Sequence, residues 1–476
     1  MSRSDAKTLD SLNLDAVIKA YDVRGVYPEQ LDVNLAHAVG AAFVRVVGAA
    51  ARDGGPGAIA IGHDMRPSGP DLVAGFAEGV REQGCDVIQI GLASTDGLYY
   101  ASGALGIPGA MFTASHNPAK YNGIKLCRAG AAPVGQDTGL RDIRLLVENG
   151  VPAFDGPMGQ LREQDLLVDY AIFLRNLVDV SGIRPLRVVV DAGNGMGGYT
   201  VPAVLGEAAG LPPLPLAIDE LFFELDGSFP NHEANPIDPA NLLDLQKRVR
   251  EVGADLGLAF DGDADRCFVV DELGEIVSPS TLTALIAARE LAKHPGSMII
   301  HNLITSKAVP EVVIECGGTP VRTRVGHSFI KATMAETNAV FGGEHSGHFY
   351  FRDFWRADSG MLAALYAIAA LGETPAGTTM SSLLKSYDRY ANSGEINTEV
   401  ADQAAATLAI REAFGNAAGV VTDDLDGLTI TTPTWWLNVR PSNTEPLLRL
   451  NVEADEVAVM EQVRDDVLAL MRGGVA

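Results

Sequence analysis

The chain has 476 residues, of which 47% are apolar, and this length and composition exclude a single compact core and favour three or four domains. Its formal net charge of -25 argues against partners that bind a positively charged surface, so neither nucleic acid nor an anionic membrane is expected. An anionic ligand would therefore need a site that is locally basic.

The first residues contain no apolar segment typical of a secretory signal, and the longest apolar run, Met361 to Leu371, is about half the length of a membrane span. The four cysteines lie far apart and form no Cys-x-x-Cys pair, as expected for buried thiols in a reducing compartment. We therefore expect a soluble cytoplasmic protein that is a monomer or a dimer.

Short runs rich in Val and Ile alternate with Ala- and Leu-rich runs of helical period, which is the pattern of an α/β chain. Strands are predicted at Ala58 to Ile61, Val87 to Ile90 and Leu186 to Val190, and helices at Asp71 to Gln83 and Asn241 to Val252. Towards the C-terminus the pattern changes to alternating strands.

Two arginines near the N-terminus lie among turn residues. Arg24 follows Tyr21 and precedes Gly25, and Arg66 follows Asp64. Each guanidinium could bind an anion, or it could pair with a neighbouring aspartate, which is the commoner outcome.

The next loop has the composition of a nucleophile or a phosphate carrier. Ser115 lies within Thr113 to Pro118 (TASHNP), His116 adjoins it, and Lys125 follows. A serine with imidazole, amide and ammonium neighbours in a turn suits covalent chemistry. A Ser/His dyad is disfavoured, because adjacent residues rarely orient their side chains towards each other as a hydrolase requires.

A glycine-rich segment, Gly193 to Gly198 (GNGMGG), follows a predicted strand, and Asp219 comes later. This matches the fingerprint of dinucleotide-binding folds. However, Tyr199 to Gly206 contains Pro202 and makes a poor helix start, so a structural strand-to-helix turn is favoured over nicotinamide binding.

A loop between two predicted strands carries Asp261, Asp263 and Asp265 (DGDADR). Alternate carboxylates can point to one side and form a hard oxygen site for Mg2+. A calcium EF-hand requires Gly where Arg266 stands and helices where strands are predicted, and a solvated acidic turn is the remaining alternative.

Two further loops contain polar groups suited to a sugar phosphate. Glu344 and Ser346 lie in GEHSGH, which offers carboxylate and hydroxyl groups to sugar hydroxyls. Arg440 opens RPSNTEP, in which a guanidinium, hydroxyls and turn N–H groups could cradle a phosphate. Taken alone, each loop could also be a plain polar turn.

The TASHNP, DGDADR, GEHSGH and RPSNTEP loops occur in this order at wide spacing. The set resembles the α-D-phosphohexomutase family, in particular its phosphomannomutase/phosphoglucomutase branch, over nearly the whole chain. The resemblance implies a heart-shaped, four-domain α/β architecture around a central cleft, with three related mixed α/β domains and a smaller C-terminal α+β domain. We place the domains at residues 1–158, 159–272, 273–386 and 387–476.

The resemblance also assigns roles to residues. Ser115 corresponds to the phosphoserine and, with Asp261, Asp263 and Asp265, to the Mg2+ ligands. The residues around the transferring phosphoryl group are Arg24, His116, Lys125, Arg266 and His348. The substrate-binding residues are Tyr21, His327, Glu344, Ser346, Arg440, Ser442, Asn443 and Thr444. Lys125 and His348 are the candidates for general base and general acid.

The activity implied is reversible phosphoryl transfer between C6 and C1 of a hexose phosphate, through phosphoserine and a hexose 1,6-bisphosphate that also serves as activator. Such transfer depends on positioning and on neutralising phosphoryl oxygens, which a metal and several cations provide. Water must be excluded, so the C-terminal domain is expected to rotate about a hinge near Tyr387 to Gly394.

Mannose 6-phosphate and mannose 1-phosphate are the predicted substrate pair, with glucose phosphates as further substrates, because Asp226 to His232 resembles the mannose/glucose branch. His345 stands where relatives often carry Met or Gln, so phosphoglucomutase and phosphoglucosamine mutase remain alternatives. A phosphatase, a binding protein without turnover and an NAD-dependent oxidoreductase are the alternatives from other classes.

Overall fold

The computed structural model describes residues 13–49, 57–417, 419–442 and 447–473. The chain forms two compact units, the first comprising Met1–Val277 and Ser346–Leu383 and the second comprising Ser278–His345 and Leu384–Ala476. No helix in the described ranges is long and apolar enough to cross a membrane.

The first unit begins with a mixed sheet. Its strands are β1 (Val23–Val26), β2 (Ala58–His63), β3 (Asp86–Leu92), β4 (Gly109–Phe112), β5 (Tyr121–Arg128), β6 (Ala132–Pro133) and β7 (Leu161–Glu163). Its helices are α1 (Leu14–Val17), α2 (Val33–Val47), α3 (Gly69–Glu82), α4 (Thr95–Leu105) and α5 (Leu140–Asn149). The strand order is β1-β5-β4-β2-β3-β7, and β6 pairs with β5.

A second sheet in the same unit has the order β12-β11-β10-β8-β9. Its strands are β8 (Leu186–Asp191), β9 (Leu216–Leu221), β10 (Leu256–Phe260), β11 (Cys267–Asp271) and β12 (Ile276–Val277). The associated helices are α6 (Leu167–Leu177), α7 (Gly197–Val204) and α8 (Leu243–Val252).

The second unit contains a parallel three-strand segment ordered β14-β13-β15 and an antiparallel sheet ordered β18-β22-β21-β20-β19. Its first elements are α9 (Pro279–Lys293), β13 (Met298–Asn302), α10 (Ala308–Glu315), β14 (Thr319–Thr323), α11 (His327–Thr337) and β15 (Phe341–Gly343). The chain then returns to the first unit and forms β16 (Phe349–Phe351), β17 (Ala357–Asp358) and α12 (Gly360–Gly372). Helix α13 (Met380–Leu384) follows at the next boundary between the units. The remaining elements are β18 (Ala391–Glu399), α14 (Gln403–Phe414), β19 (Val421–Asp423), β20 (Leu428–Thr431), β21 (Trp435–Pro441), β22 (Leu447–Ala454) and α15 (Val457–Met471).

The first two sheets share a topology that places the chemically important loops at equivalent positions. In each, a central strand lies between two parallel neighbours, and the outer neighbour pairs with an antiparallel strand, as β3-β2-β4-β5 and β9-β8-β10-β11. The TASHNP loop joins β4 to β5, and the DGDADR loop joins β10 to β11. The GEHSGH loop likewise follows β15, which is parallel to β13.

Residues 273–386, expected to form one domain, belong to both units, since those from Ser346 to Leu383 are in the first unit, where the Ser359 hydroxyl donates to Asp96 at 2.6 Å. The first sheet includes β7, which follows the expected boundary at residue 158 and pairs with β3. One sequence expectation is wrong. A helix does follow the glycine-rich turn despite Pro202, since α7 is only eight residues long and gives up few main-chain hydrogen bonds.

Candidate functional site

Ser115 lies on the tight turn between β4 and β5, and its side chain faces the aspartate loop. Its φ of 51° is in the left-handed region, which is uncommon for a residue other than glycine. Its N–H donates to Thr113 Oγ1 at 2.9 Å, and its hydroxyl donates to Asp261 Oδ2 at 2.9 Å. Arg266 Nη2 donates to Ser115 Oγ at 3.0 Å, so the hydroxyl lies between a carboxylate and a guanidinium.

The two loops approach each other closely because Gly262 has no side chain. A Cβ at this position would lie 2.5 Å from the Ser115 carbonyl oxygen, which no ordinary packing accommodates. Behind it, the Gly262 carbonyl accepts the Met196 N–H at 2.9 Å, and a Cβ on Gly195 would meet the same oxygen at 2.7 Å. The glycine-rich turn therefore supports the aspartate loop.

Asp261, Asp263 and Asp265 converge at the end of the β10–β11 hairpin. Each has a carboxylate oxygen within 4.8 Å of the others, and all three residues are at most 1% exposed. Such burial excludes the solvated acidic turn. The EF-hand interpretation is also wrong, since strands flank the loop and the Glu272 carboxylate accepts hydrogen bonds from Ser381 instead.

The aspartate cluster fits a divalent cation. Asp263 Oδ1 and Asp265 Oδ1 are buried without a hydrogen-bond partner, although buried carboxylate oxygens normally have one. Lys125 Nζ donates to Asp263 Oδ2 at 2.7 Å and to Asp265 Oδ2 at 2.6 Å. With Arg266, the two cations leave one negative charge uncompensated among the three carboxylates, and hard oxygen ligands suit Mg2+.

The pKa values of Asp261 and Asp263 are shifted in opposite directions. Burial raises the pKa of Asp261, against the opposing effect of Arg266. Burial also opposes ionisation of Asp263, but the adjacent ammonium of Lys125 outweighs it and holds the pKa of Asp263 below its usual range. Conversely, burial would lower the pKa of Lys125, but Asp263 and Asp265 raise it, so Lys125 is an ammonium in this arrangement.

His116 lies beside the serine but is poorly suited to be its base. Its Nδ1 is 3.2 Å from Ser115 Oγ and also contacts Arg266 Nη2. Burial, reinforced by Arg266 and Arg24, lowers the pKa of His116 to about 2. The imidazole is therefore neutral. It contacts the serine and the guanidinium through hydrogen bonds and does not act as a proton acceptor for the serine.

Arg24 lies on β1, whose register places it opposite Gly123 on β5. Nη1 donates to Asn117 Oδ1 at 2.7 Å, and Nη2 donates to Asp22 Oδ2. Its Nε is buried without a hydrogen-bond partner, which leaves one donor available beside the serine loop. Tyr21, another predicted residue, lies just before β1 and is 38% exposed.

His348 and Ser346 also lie in the first unit. His348 forms a β-bridge with Arg266, its Nε2 is 3.6 Å from Asp265 Oδ1, and its Nδ1 is 3.1 Å from Ser346 Oγ. The first unit thus brings together Ser115, the three aspartates and all five residues predicted around the phosphoryl group.

Sequence interpretation missed Thr95, the first residue of α4. Its Oγ1 donates to Asp263 Oδ2 at 2.5 Å, and its N–H donates to the Asp263 carbonyl at 3.0 Å. The helix is fixed in turn by Asp96, which accepts hydrogen bonds from Tyr170 and Ser359. No local signal identifies this role, because 168 residues separate Thr95 from its partner.

The second unit holds the predicted phosphate loop and the sugar-loop residue Glu344, whereas the sugar-loop residue Ser346 is in the first unit. Glu344 is 2% exposed, and its Oε1 accepts the Gly326 N–H at 3.1 Å. His327 begins α11 immediately after Gly326, and its side chain is outside the described part of the structure. Burial, aided by Arg440 and opposed by Glu395, lowers the pKa of His345, whose Nδ1 is 3.2 Å from Ser280 Oγ.

The start of the predicted phosphate loop is held by two strands. Arg440 on β21 lies opposite Arg449 on β22, and the Glu395 carboxylate accepts from Arg440 Nη2 at 2.5 Å and from Arg449 Nη1 at 3.5 Å. The Ser442 N–H donates to the Leu447 carbonyl at 2.9 Å. Asn443 and Thr444 lie outside the described residues.

The two features that suggested a dinucleotide-binding fold, the glycine-rich turn and Asp219, both have structural partners. The glycine-rich turn packs against Gly262, and Asp219 forms a two-point ion pair with Arg248, with distances of 2.7 and 2.8 Å. Neither the turn nor the carboxylate is available to a nucleotide in this arrangement.

Family models described as phosphoglucomutase/phosphomannomutase match the chain along its length. The alpha/beta/alpha domain I matches residues 15–150, domain II residues 169–274 and domain III residues 279–390, and the C-terminal domain matches residues 395–470.

Similar proteins carry consistent names. A phosphomannomutase of Escherichia coli is 40% identical over 466 residues, covering 95% of this chain and 98% of its own. A protein named phosphohexose mutases from Xanthomonas campestris pv. campestris is 39% identical, covering 96% of this chain and 99% of its own. The crystal structure of a phosphoglucomutase/phosphomannomutase family protein from Burkholderia thailandensis aligns with a TM-score of 0.84 at 31% identity, covering 96% and 97% of the two chains.

Proposed function

Because the chain belongs to the phosphoglucomutase/phosphomannomutase family and is therefore a phosphohexomutase, we propose that it interconverts mannose 6-phosphate and mannose 1-phosphate, with glucose phosphates as further substrates. The observation that carries the phosphoryl transfer is the Ser115 hydroxyl, buried between Asp261 and Arg266 at 2.9 and 3.0 Å, and the names of the relatives favour mannose as the sugar.

The reaction proposed consists of two opposite transfers. In the first, a hydroxyl oxygen of the hexose monophosphate attacks phosphorus on phospho-Ser115, the bond from phosphorus to Ser115 Oγ breaks, and a hexose 1,6-bisphosphate forms. After the bisphosphate has reoriented, Ser115 Oγ attacks its other phosphorus, and the product hydroxyl leaves. The serine ends phosphorylated, so each cycle conserves its phosphoryl group.

The residues of the first unit would stabilise this transfer. The guanidinium of Arg266 donates directly to Ser115 Oγ, and Arg24 retains a buried Nε donor nearby, so both can neutralise phosphoryl oxygens. Asp261, Asp263 and Asp265, together with a phosphoryl oxygen on Ser115, would hold Mg2+, which supplies charge neutralisation when bound.

Proton transfer is assigned to Lys125 and His348. His348 Nε2 lies 3.6 Å from Asp265 Oδ1, which places an imidazole at the border of the cluster. Lys125 is held as an ammonium by Asp263 and Asp265, so it would serve first as an acid and as a base only after giving up that proton.

Substrate binding is proposed for the second unit. Glu344 would accept hydrogen bonds from sugar hydroxyls, and Arg440 with Ser442, Asn443 and Thr444 would bind the phosphate that is not transferred. Glu395 holds Arg440 beside Arg449, so the phosphate would enter a site that already has two guanidinium groups.

The substrate is tested by comparing mannose 1-phosphate, glucose 1-phosphate and glucosamine 1-phosphate in coupled assays with Mg2+ and a trace of hexose 1,6-bisphosphate. We expect the highest kcat/KM for mannose 1-phosphate. Equal values for the first two would extend the assignment to a dual mutase, which the name of the Xanthomonas relative favours as the second candidate. Steady release of inorganic phosphate without isomerisation would replace the mutase with a phosphatase.

A further inference from the structure

A buried arginine holds the main chain of the serine loop. Arg66 lies between β2 and α3 and is 1% exposed. Its two terminal nitrogens donate to four carbonyl oxygens of the loop, those of Ser115 (2.9 Å), Asn117 (2.6 Å), Pro118 (3.0 Å) and Tyr121 (2.9 Å). The guanidinium therefore spans the turn from the nucleophile to the start of β5.

Arg66 is itself fixed from two sides. The Asp64 carboxylate accepts from Arg66 Nε at 3.2 Å and from the Arg66 N–H at 2.9 Å. The ring of Phe229 covers the guanidinium, with its centroid 5.2 Å from Cζ. Gly227 permits this contact, because a Cβ there would lie 2.8 Å from Arg66 Cα.

All five N–H donors of this guanidinium are thus used, four of them on one loop. A buried cation is costly unless it is paired and fully hydrogen-bonded, and this one is satisfied by the loop itself. The left-handed conformation of Ser115 also needs surroundings that enforce it, since strained conformations persist only where neighbouring groups over-determine them.

The contacts are made to main-chain oxygens, whereas the Ser115 hydroxyl points to Asp261 and Arg266. We propose that Arg66 is a positioning residue, which fixes Ser115 Oγ for in-line phosphoryl transfer by holding the carbonyls of its loop. This proposal rests on the proposed function, in which Ser115 carries the phosphoryl group.

Arg175 provides a matched control for a purely structural role. It also donates to three main-chain carbonyls, those of Val204 (2.7 Å), Gly206 (2.8 Å) and Pro212 (2.6 Å). These belong to the end of α7 and the segment before β9, none of which contributes a group to the site. Arg175→Met should lower the melting temperature without changing catalysis.

The test compares Arg66→Met, Arg175→Met and the wild-type enzyme. For Arg66→Met we expect kcat to fall about 100-fold, because small misplacements of reacting groups cost about that factor. The KM for hexose phosphate should stay unchanged, since the residues proposed to bind the sugar and its other phosphate are intact. Phosphorylation of Ser115 by glucose 1,6-bisphosphate, followed by intact mass, should slow by the same factor as kcat.

Two further measurements separate positioning from stability. Guanidinium at millimolar concentration should partly restore kcat to Arg66→Ala and have no effect on Arg175→Ala. Hydrogen exchange at amides 113–123 should accelerate in Arg66→Met while the aspartate loop keeps its protection. If Arg66→Met does not fold, Arg66→Lys replaces it, because one ammonium cannot reach the four carbonyls that two guanidinium nitrogens reach.

The proposal is overturned if an Arg66 variant keeps wild-type kcat and phosphorylation rate. It is also overturned if the Arg66 and Arg175 variants lose kcat alike, in proportion to their lost stability. Failure of the proposed function has a different signature, because the wild-type enzyme would then not isomerise mannose 1-phosphate. Serine phosphorylation and hydrogen exchange would still report on Arg66 in that case.

Discussion

Thr95→Val removes one hydroxyl from behind the aspartate cluster and keeps the shape of the side chain. The lost contact is the 2.5 Å hydrogen bond to Asp263 Oδ2, and Thr95 is fully buried, so water does not replace it. The hydrogen bond from the Thr95 N–H to the Asp263 carbonyl survives, because the main chain donates it. The predicted consequence is a mobile Asp263 carboxylate in an otherwise intact fold.

The size of the expected effect depends on the hydrogen bonds that Asp263 keeps in Thr95→Val. Hydrogen bonds to ionised groups contribute about 1.5–3 kcal/mol. Lys125 still donates to the same oxygen at 2.7 Å, so the carboxylate is not left unpartnered and the low end of that range applies. Since about 1.4 kcal/mol corresponds to a factor of ten in a binding constant, the half-saturating Mg2+ concentration should rise about tenfold.

The assay is a Mg2+ titration of the mutase reaction at saturating hexose phosphate. Thr95→Ser is the matched control, because it retains the hydroxyl and should titrate close to wild type. If Thr95→Val has the Mg2+ dependence of wild type, Thr95 does not orient Asp263. If Thr95→Ser is as impaired as Thr95→Val, loss of the hydroxyl does not by itself explain the changed Mg2+ dependence.

Three further predictions concern the loops, the metal and pH. Gly262→Ala should destabilise the fold by about 1–3 kcal/mol and reduce kcat, because its Cβ would meet the Ser115 carbonyl at 2.5 Å. Gly182→Ala is the control and should have neither effect, because a Cβ there has no atom within 4 Å. Equal free energies of unfolding for the two variants would contradict the close approach of the loops. Chelation of divalent cations should abolish isomerisation and Mg2+ should restore it. An unchanged rate would show that the reaction does not require a divalent cation. Burial lowers the pKa of His301 to about 4, so its unfolded form binds a proton at pH 5 and its folded form does not. Stability should thus fall by about 2 kcal/mol from pH 7 to pH 5, and His301→Gln should lose that part of the slope in urea unfolding.

The loops were predictable because their chemistry is concentrated in short segments. Ser115, Asp261, Asp263 and Asp265 combine residue types that rarely occur together except at reactive or metal sites, and strands flank them as expected. The alternation of Val- and Ile-rich runs with helical periods was likewise sufficient to identify the mixed α/β layers.

What sequence interpretation could not supply depends on contacts between distant segments. Thr95 and Arg66 act through partners in other loops. The sequence indicates a pair between Arg66 and Asp64, but that pair accounts for only a minority of the hydrogen bonds of Arg66. The division of residues 273–386 between two units also depends on packing, since Gly360 lies so close to the Arg266 main chain that a Cβ would be 2.7 Å from its carbonyl.

The proposed role of Ser115 as a phosphoryl carrier is tested most directly by following its phosphoryl group. The enzyme is phosphorylated with glucose 1,6-bisphosphate carrying labelled phosphate, separated from free sugar and mixed with mannose 1-phosphate for a single turnover. We expect the label to leave the Ser115 peptide and to appear in hexose 1,6-bisphosphate at least as fast as kcat, and we expect Ser115→Ala to be inactive. Label that stays on the protein during turnover, or full activity in Ser115→Ala, would contradict the proposed role.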